Sequence, residues 1–517
     1  MNVTPISLSE LFRLSGIVSV DPIPEHLSVT GITESTAELK AGMLFVAREG
    51  TTFNGHDFLN IAAARGACAA IVNKKPSPAN GLISIRVADT AEALGRLCAG
   101  FYGNPSHKLR LIGVTGTDGK STTSHLVAHI LRCAGHKVAI TSTVGTEING
   151  KIYPMHNTTP PAPLLQQFLA EAADAGNDYV VVEVSSHAIV QKRLAGCKFC
   201  GGVLTNVAAD HLELHQTLRN YREAKRRFFR EYVAADGNSS EAWQILNKDD
   251  LVGKSLAAIH NVRTIQYSAL NSAHIQARRI VAGRKQIDFE MVIQGRVVPV
   301  RLALTGRYNV WNALAAAGAG LACGVSPDSI REGLETFGGV KGRFEFIECG
   351  LLFDVIVDYA HTPQAVRQVL REGRQLTSGR LIAVFGSPGD RWPGKRSLIG
   401  KIIGEHADFA VVTSDNPGFE DPAGIAWAVE RGLQIKPPPE GYAVELDRAR
   451  AVGLALSAAW PGDMVLLLGK GHEEFQMIKG IRYPFSEREI VLRFSKGEKR
   501  RFSDFMKSEN RQNSETA

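Results

Sequence analysis

The 517-residue chain reads as an α/β protein of three domains built on parallel sheets. Three observations predict that class. A single hydrophobic core stops growing near about 250–300 residues, so this length calls for several. From Leu109 onward, short apolar runs alternate with helical stretches, and the runs are continuous, as in strands covered on both faces. Polar motifs follow these runs at their C-terminal ends, where open α/β sheets place their ligands.

The elements follow in order. Residues 1–107 have an α/β character of their own and end near Gly103-Asn104-Pro105. The second domain, 108–338, carries the strand runs Leu111–Thr115, Val138–Thr141, Tyr179–Val184 and Val203–Asn206, with Ser121–Cys133 as a crossover helix. Within it, 243–300 reads as strands and loops of alternating polarity at the periphery. Glycines 338, 339 and 342 mark a break. The third domain, 339–495, carries Phe353–Asp358, Leu381–Gly386, Phe409–Thr413 and Met464–Leu468. A basic polar tail, 496–517, closes the chain.

Hydrophobic residues at 44% and charged residues at 21% mark a globular chain. No apolar stretch approaches the roughly 20 residues that span a bilayer. The N-terminus lacks a basic segment followed by an apolar run, so a cytosolic location is expected. The seven cysteines are scattered, and Cys197-x-x-Cys200 has no second pair to complete a zinc site, so packing thiols are expected. Much of the net charge of +7 sits in the tail, without the interleaved aromatic residues of a nucleic-acid surface. No nucleic-acid partner is expected.

The segment from Gly113 to Ser121 follows a strand run and opens a helix. Glycines 113, 116 and 119 are expected to turn backbone N–H groups toward phosphate oxygens. Thr115, Gly116, Thr117, Asp118 and Gly119 would line that cradle. Lys120 would reach the β- and γ-phosphates of ATP, and the Ser121 hydroxyl would help hold Mg²⁺. Val114 stands where the strict P-loop pattern has its first glycine.

GVTGTDGKSTT, NTTP, EVSSHAIVQKR, TNVAADHLELH, NYREAKRRFF, GRYNVWNALAAAG, GRFE, VDYAHTPQA, FGSPGDRWPGKR, SDNP and GKGHEEFQ occur in this order. Together they resemble the Mur ligases of peptidoglycan synthesis over nearly the whole chain, in particular the branch that adds the third residue to UDP-MurNAc-L-Ala-D-Glu. The resemblance implies a UDP-binding domain, a central P-loop ATPase domain and a C-terminal Rossmann-like domain, acting as a monomer. It implies that Glu183 and His211 bind Mg²⁺ with Ser121, and that Lys225 reacts with CO₂ to a carbamate serving the same ion. Lys120, Glu183, His211 and Lys225 would then be the catalytic set. Ser35, Thr158, Thr159, Ser185, Gln191 and Arg193 match positions for the UDP-linked dipeptide, although Thr36 replaces the family's usual arginine. Asn309, Asn312, Arg343 and Asp358 match positions that approach ATP.

Arg391, Asp415, Asn416, Gly469 and Glu473 match the site of the incoming free amino acid. Diaminopimelate-type members carry an arginine where this chain has Gly418. Ornithine, lysine and meso-diaminopimelate therefore all stay open as the third residue. His211 and His215 also share an H-x-x-x-H spacing, but the sequence supplies no third ligand for zinc. Alternative readings are an amide ligase extending a folate or amino-acid polymer, a silent nucleotide-binding protein, and a nucleic-acid-dependent ATPase.

Overall fold

The computed structural model describes residues 4–50, 53–74, 81–153, 157–234, 241–258 and 262–497. The basic tail expected at 496–517 lies outside them, apart from Lys496 and Gly497. Three sheets organise the chain. The first is a four-stranded parallel sheet in sequence order, Ile32–Thr33, Leu44–Val46, Ala69–Val72 and Ser84–Arg86. Helix Thr90–Phe101 packs on it, started by the Asp89 side chain, which accepts from Glu92 N.

The second sheet has eleven strands. Its parallel centre runs Val138–Ser142, Tyr179–Val184, Arg110–Thr115, Phe199–Leu204, Trp243–Asn247, Arg263–Ser268 and Ile275–Ala282. Continuous apolar runs are explained by the two cores they serve. Ile112 and Val114 face helices Lys120–Cys133 and Asn309–Ala322, while Leu111, one step out of phase, faces Phe168, Phe228 and Phe229. The 243–300 segment departs from its expected peripheral place. Trp243–Asn247 is wholly buried and extends the parallel sheet, and only Ile287–Ile293 and Arg296–Leu302 form the alternating antiparallel edge. The buried hydrophobes at 243, 245 and 246 were the strand signal, interrupted in sequence by the polar Gln244 and Asn247, whose amide N–H groups donate to Thr264 Oγ1 and Thr205 O.

The third sheet has six strands in the order Glu345–Phe346, Asp354–Asp358, Met464–Leu468, Leu381–Ser387, Phe409–Ser414 and Tyr442–Val444, all parallel except the first. Helix Pro363–Leu376 begins cleanly because Thr362 caps it and Pro363 needs no N–H partner. Polar residues of the second and third units meet: Arg343 donates to Ser121, and Asp210 lies in electrostatic range of His361 and Lys395. Among the described residues, no helix is long and apolar enough to cross a membrane.

Candidate functional site

The loop between strand Arg110–Thr115 and helix Lys120–Cys133 is shaped by two glycines rather than three. Gly116 has φ 150° and Gly119 φ 80°. A Cβ on Gly116 would lie 1.9 Å from Thr205 Oγ1, and one on Gly119 would lie 2.3 Å from Asn312 Oδ1. Gly113 instead sits inside the strand, where a Cβ would meet Phe228 Cζ at 2.3 Å. It is a packing glycine, which corrects its expected place in the cradle. Thr115 also ends the strand rather than lining the loop, its hydroxyl donating to Val184 O at 2.8 Å. The loop backbone is held by Thr205 Oγ1 and Asn206 Nδ2, both donating to Asp118 O, and Lys120 Nζ donates to Thr117 O.

Beneath the loop lies an oxygen-rich nest. Ser121 Oγ donates to Glu183 Oε2 at 3.0 Å, and the Thr143 N–H and hydroxyl donate to the same carboxylate at 2.9 and 3.1 Å. Carboxylate and hydroxyl oxygens are hard donors that suit Mg²⁺. Lys225 lies next to this nest, fully enclosed, with Nζ 3.2 Å from Thr115 Oγ1. Burial and then the Lys120 charge push its amine well below the usual lysine range, against the pull of Asp210 and Glu183. Burial likewise raises Asp118 to about 6, opposed first by Lys120.

Of the sequence-predicted metal set, the structure joins Ser121 to Glu183 and brings Lys225 beside them. His211 lies in another group, paired with Asp210 at 3.3 Å and Glu213 at 3.1 Å. Thr158, Thr159 and Ser185 line the far side of Glu183. Thr143 Oγ1 donates to Thr158 Oγ1, Thr159 Oγ1 donates to Glu183 O, and Ser185 N donates to Thr159 Oγ1. Arg193 ties this wall together by donating to Thr159 O and Gln191 Oε1. Ser35 sits in a turn of the first unit, its N–H on Thr33 Oγ1, next to the Glu34–Arg48 ion pair. Arg48 is close enough to Arg193 to lower its pKa after burial has done so. Sequence reasoning missed Arg48, which carries no motif; two guanidinium groups in electrostatic range of one another are chemistry that suits a diphosphate.

Asn309 and Asn312 open helix Asn309–Ala322 and are buried. Asn309 Nδ2 donates to Thr305 O, and Asn312 Nδ2 to Asn309 Oδ1. The third unit reaches in through Arg343, whose Nη2 donates to Ser121 Oγ at 2.9 Å. Asp358 lies behind it and accepts from Phe344 N and Ala360 N, both at 2.7 Å. Its carboxyl is raised by burial, opposed by Arg343.

The candidate amino-acid residues cluster around Lys470, a buried cation absent from the expected set. Its Nζ lies 2.9 Å from Asn416 Oδ1, 3.1 Å from Glu473 Oε2 and 3.3 Å from Asp415 Oδ1. Asn416 Nδ2 also donates to Glu473 Oε2. Gly469, at φ 106°, approaches Asp415, and Arg391 is exposed at the rim. Gly418 has φ 61°, and a Cβ there would lie 2.0 Å from Asp390 Oδ2. Cys197 and Cys200 are free thiols driven by burial up to about 12 and about 11, as packing residues should be.

A glycine-shaped phosphate loop, an oxygen nest below it and a second parallel-sheet unit folded over both define a nucleotide-dependent enzyme. The chain belongs to the Mur ligase family. It matches the family models for the Mur ligase family catalytic domain over residues 28–102, the Mur ligase middle domain over 114–320, and the Mur ligase glutamate ligase domain over 342–471. It is 37% identical over 478 residues to the UDP-N-acetylmuramoyl-L-alanyl-D-glutamate–2,6-diaminopimelate ligase of Geobacter metallireducens, covering 90% of this chain and 94% of that one. The ligase of the same name from Parabacteroides distasonis is 38% identical over 468 residues, with 90% and 94% covered. A solved structure of such a ligase superposes with a TM-score of 0.65 at 29% identity, covering 95% of this chain and 99% of that one.

Proposed function

We propose that this chain is a UDP-N-acetylmuramyl-tripeptide synthetase. It joins a diamino acid to the D-glutamate of UDP-MurNAc-L-Ala-D-Glu, using ATP, in the cytosolic stage of peptidoglycan synthesis, as a monomer. The observation that carries this reading is the Ser121–Glu183–Thr143 nest under the loop, met by Arg343 from the third unit. Residues 1–107 would take the uridine end through Ser35, 108–338 would hold ATP, and 339–495 would bring the amino acid.

In this reading Thr158, Thr159, Ser185, Gln191 and Arg193 orient the dipeptide so that its carboxylate faces the γ-phosphate. Thr117, Asp118 and Gly119 cradle the phosphates, Asn309 and Asn312 support the nucleotide from the helix behind the loop, and Asp358 supports Arg343. Lys120 and Arg343 offset charge as the phosphoryl group passes to that carboxylate. Ser121, Glu183 and His211 would hold Mg²⁺, which neutralises phosphate charge when bound. The neutral Lys225 amine adds to CO₂, forming an N–C bond and releasing a proton, and the resulting carbamate gives the nest two more oxygens. The incoming amine then displaces phosphate from the acyl phosphate, while the closed units exclude water.

Arg391 would grip the α-carboxylate of the incoming amino acid, and Asp415, Asn416, Gly469 and Glu473 its distal end. The relatives' names carry 2,6-diaminopimelate. Position 418 here is a glycine that supplies no cation, and Lys470 is already paired with Asp415 and Glu473; a distal carboxylate left without its arginine would lose on the order of 2–5 kcal/mol. That favours ornithine or lysine. Phosphate release and product mass, with each of the three amino acids in turn, test the reading. Turnover with ornithine or lysine is expected, and diaminopimelate as the sole substrate would overturn the preference. No product from ATP-binding protein would overturn the synthetase itself. In the same assay Lys225→Ala should lose turnover, and a variant of full activity without added carboxylic acid would remove the carbamate.

A further inference from the structure

The H-x-x-x-H spacing of His211 and His215 had no third ligand in the sequence, and the fold groups His211 with donors other than His215. His187, from helix Ser186–Val190, lies with its ring perpendicular to that of His211, centroids 4.7 Å apart. One donor atom each from His187, His211 and Glu213 lies within 4.8 Å of the others. We infer that these three residues form a site for a borderline transition-metal dication of the Zn²⁺ class, distinct from the oxygen-lined nest at Ser121 and Glu183.

The donor chemistry carries the choice of ion. Two imidazoles and one carboxylate suit Zn²⁺, Co²⁺ or Ni²⁺, whereas Mg²⁺ takes oxygen ligands and keeps much of its water. Zinc bonds of about 2.0–2.2 Å need the donors to close in somewhat, and Glu213 lies on the exposed side of the group. His211 stands between two carboxylates, with Nδ1 3.1 Å from Glu213 Oε1 and Nε2 3.3 Å from Asp210 Oδ2. A metal-binding histidine commonly turns its second nitrogen to a carboxylate in this way, which fixes the ring and strengthens the ligand. A third imidazole adjoins the group. His215 is buried, its ring is 6.5 Å from that of His187, and its Nε2 has no hydrogen-bond partner among the described residues.

If His211 also serves the nest, as the proposed function has it, one imidazole cannot serve both ions, and Zn²⁺ then inhibits ligation. Only that consequence rests on the proposed function; the site itself does not.

The full chain, stripped of metal with a chelator, is titrated with Co²⁺ and Zn²⁺. Strong visible absorption from four- or five-coordinate Co²⁺, displaced by Zn²⁺ but not by excess Mg²⁺, is expected. His187→Ala and Glu213→Gln should each weaken Zn²⁺ binding by about tenfold or more, whereas Ser121→Ala should leave it within about twofold. Only the pale spectrum of six-coordinate Co²⁺, displacement by Mg²⁺, or unchanged Zn²⁺ affinity in both variants overturns the site. Should His187→Ala fail to fold, the exposed Glu213→Gln decides alone. Zn²⁺ should slow phosphate release in the native chain and less so in Glu213→Gln. Binding without inhibition would keep the site and overturn the sharing of His211.

Discussion

Asp118 has one carboxylate oxygen, Oδ2, buried with no hydrogen-bond partner among the described residues, although its backbone is tightly held. Its folded-state pKa is raised from 3.8 to about 6, chiefly by burial. The folded chain therefore keeps a proton that the unfolded chain has released. The stability this residue contributes is full below pH 3.8 and is lost as pH rises through about 6. Asp118→Asn keeps the shape and never ionises. It should raise the unfolding midpoint of the ligand-free chain by about 2–6 °C at about pH 8, with the gain gone at about pH 4. An equal gain at both pH values would show that ionisation is not the cause. At this scale the sequence was legible where a residue type sits in a motif: Ser121 and Glu183, from two separate motifs, are hydrogen-bonded to one another. It was illegible where the environment decides. Nothing in Tyr-Arg-Glu-Ala-Lys-Arg-Arg distinguishes the enclosed Lys225 from the basic residues around it. Arg48, His187 and Lys470 acquire their places only through contacts across the fold.

The strand Arg110–Thr115 shows what patterning can and cannot reveal. Its apolar run announced a strand buried on both faces, and it is one. The glycine at 113 belonged in sequence to a glycine-rich loop, yet pleating points it at Phe228 and Phe199. Gly113→Ala should therefore cost about 1–3 kcal/mol of stability through overpacking. In a Phe228→Leu background the same substitution should cost half of that or less, because the ring edge it strikes is gone. Equal costs in the two backgrounds, read from denaturant unfolding, would disprove the clash. Gly116→Ala differs, since φ 150° and Thr205 together exclude a Cβ. Loss of ATP affinity is expected there. The segment at 243–300 misled for a related reason. Its first strand carries two polar side chains whose amide N–H groups donate inside the sheet to Thr264 and Thr205, and such pairing is invisible before the neighbouring strands are known.

At the scale of the whole molecule, the phosphate loop and the third sheet belong to separate folding units, so catalysis depends on how they meet. Polar links that cross that boundary include Arg284 with Asp354, Lys285 with Glu348, the Arg307 N–H with Glu372, and Arg343 with Ser121. The first two cations are exposed, and such pairs contribute about 0–1 kcal/mol each. Arg343 is different. Its guanidinium lies over the Tyr359 ring at 4.8 Å, its backbone is fixed where Gly342 abuts His472, and its fork ends at the loop's own serine. A rigid fork held in that place can follow charge developing on a transferred phosphoryl group, whereas a lysine ammonium cannot hold the same two directions. Arg343→Lys should lower kcat about 10²–10³-fold, with KM for the UDP-linked dipeptide within about threefold. The paired control, Arg284→Ala with Lys285→Ala, should stay within about twofold of the native kcat, because losing two exposed pairs leaves the Arg343 contact in place. Steady-state kinetics of both variants decide the matter. If Arg343→Lys kept native kcat, the link to Ser121 would be packing alone. If the control fell as far as Arg343→Lys, docking as a whole, rather than this guanidinium, would set the rate.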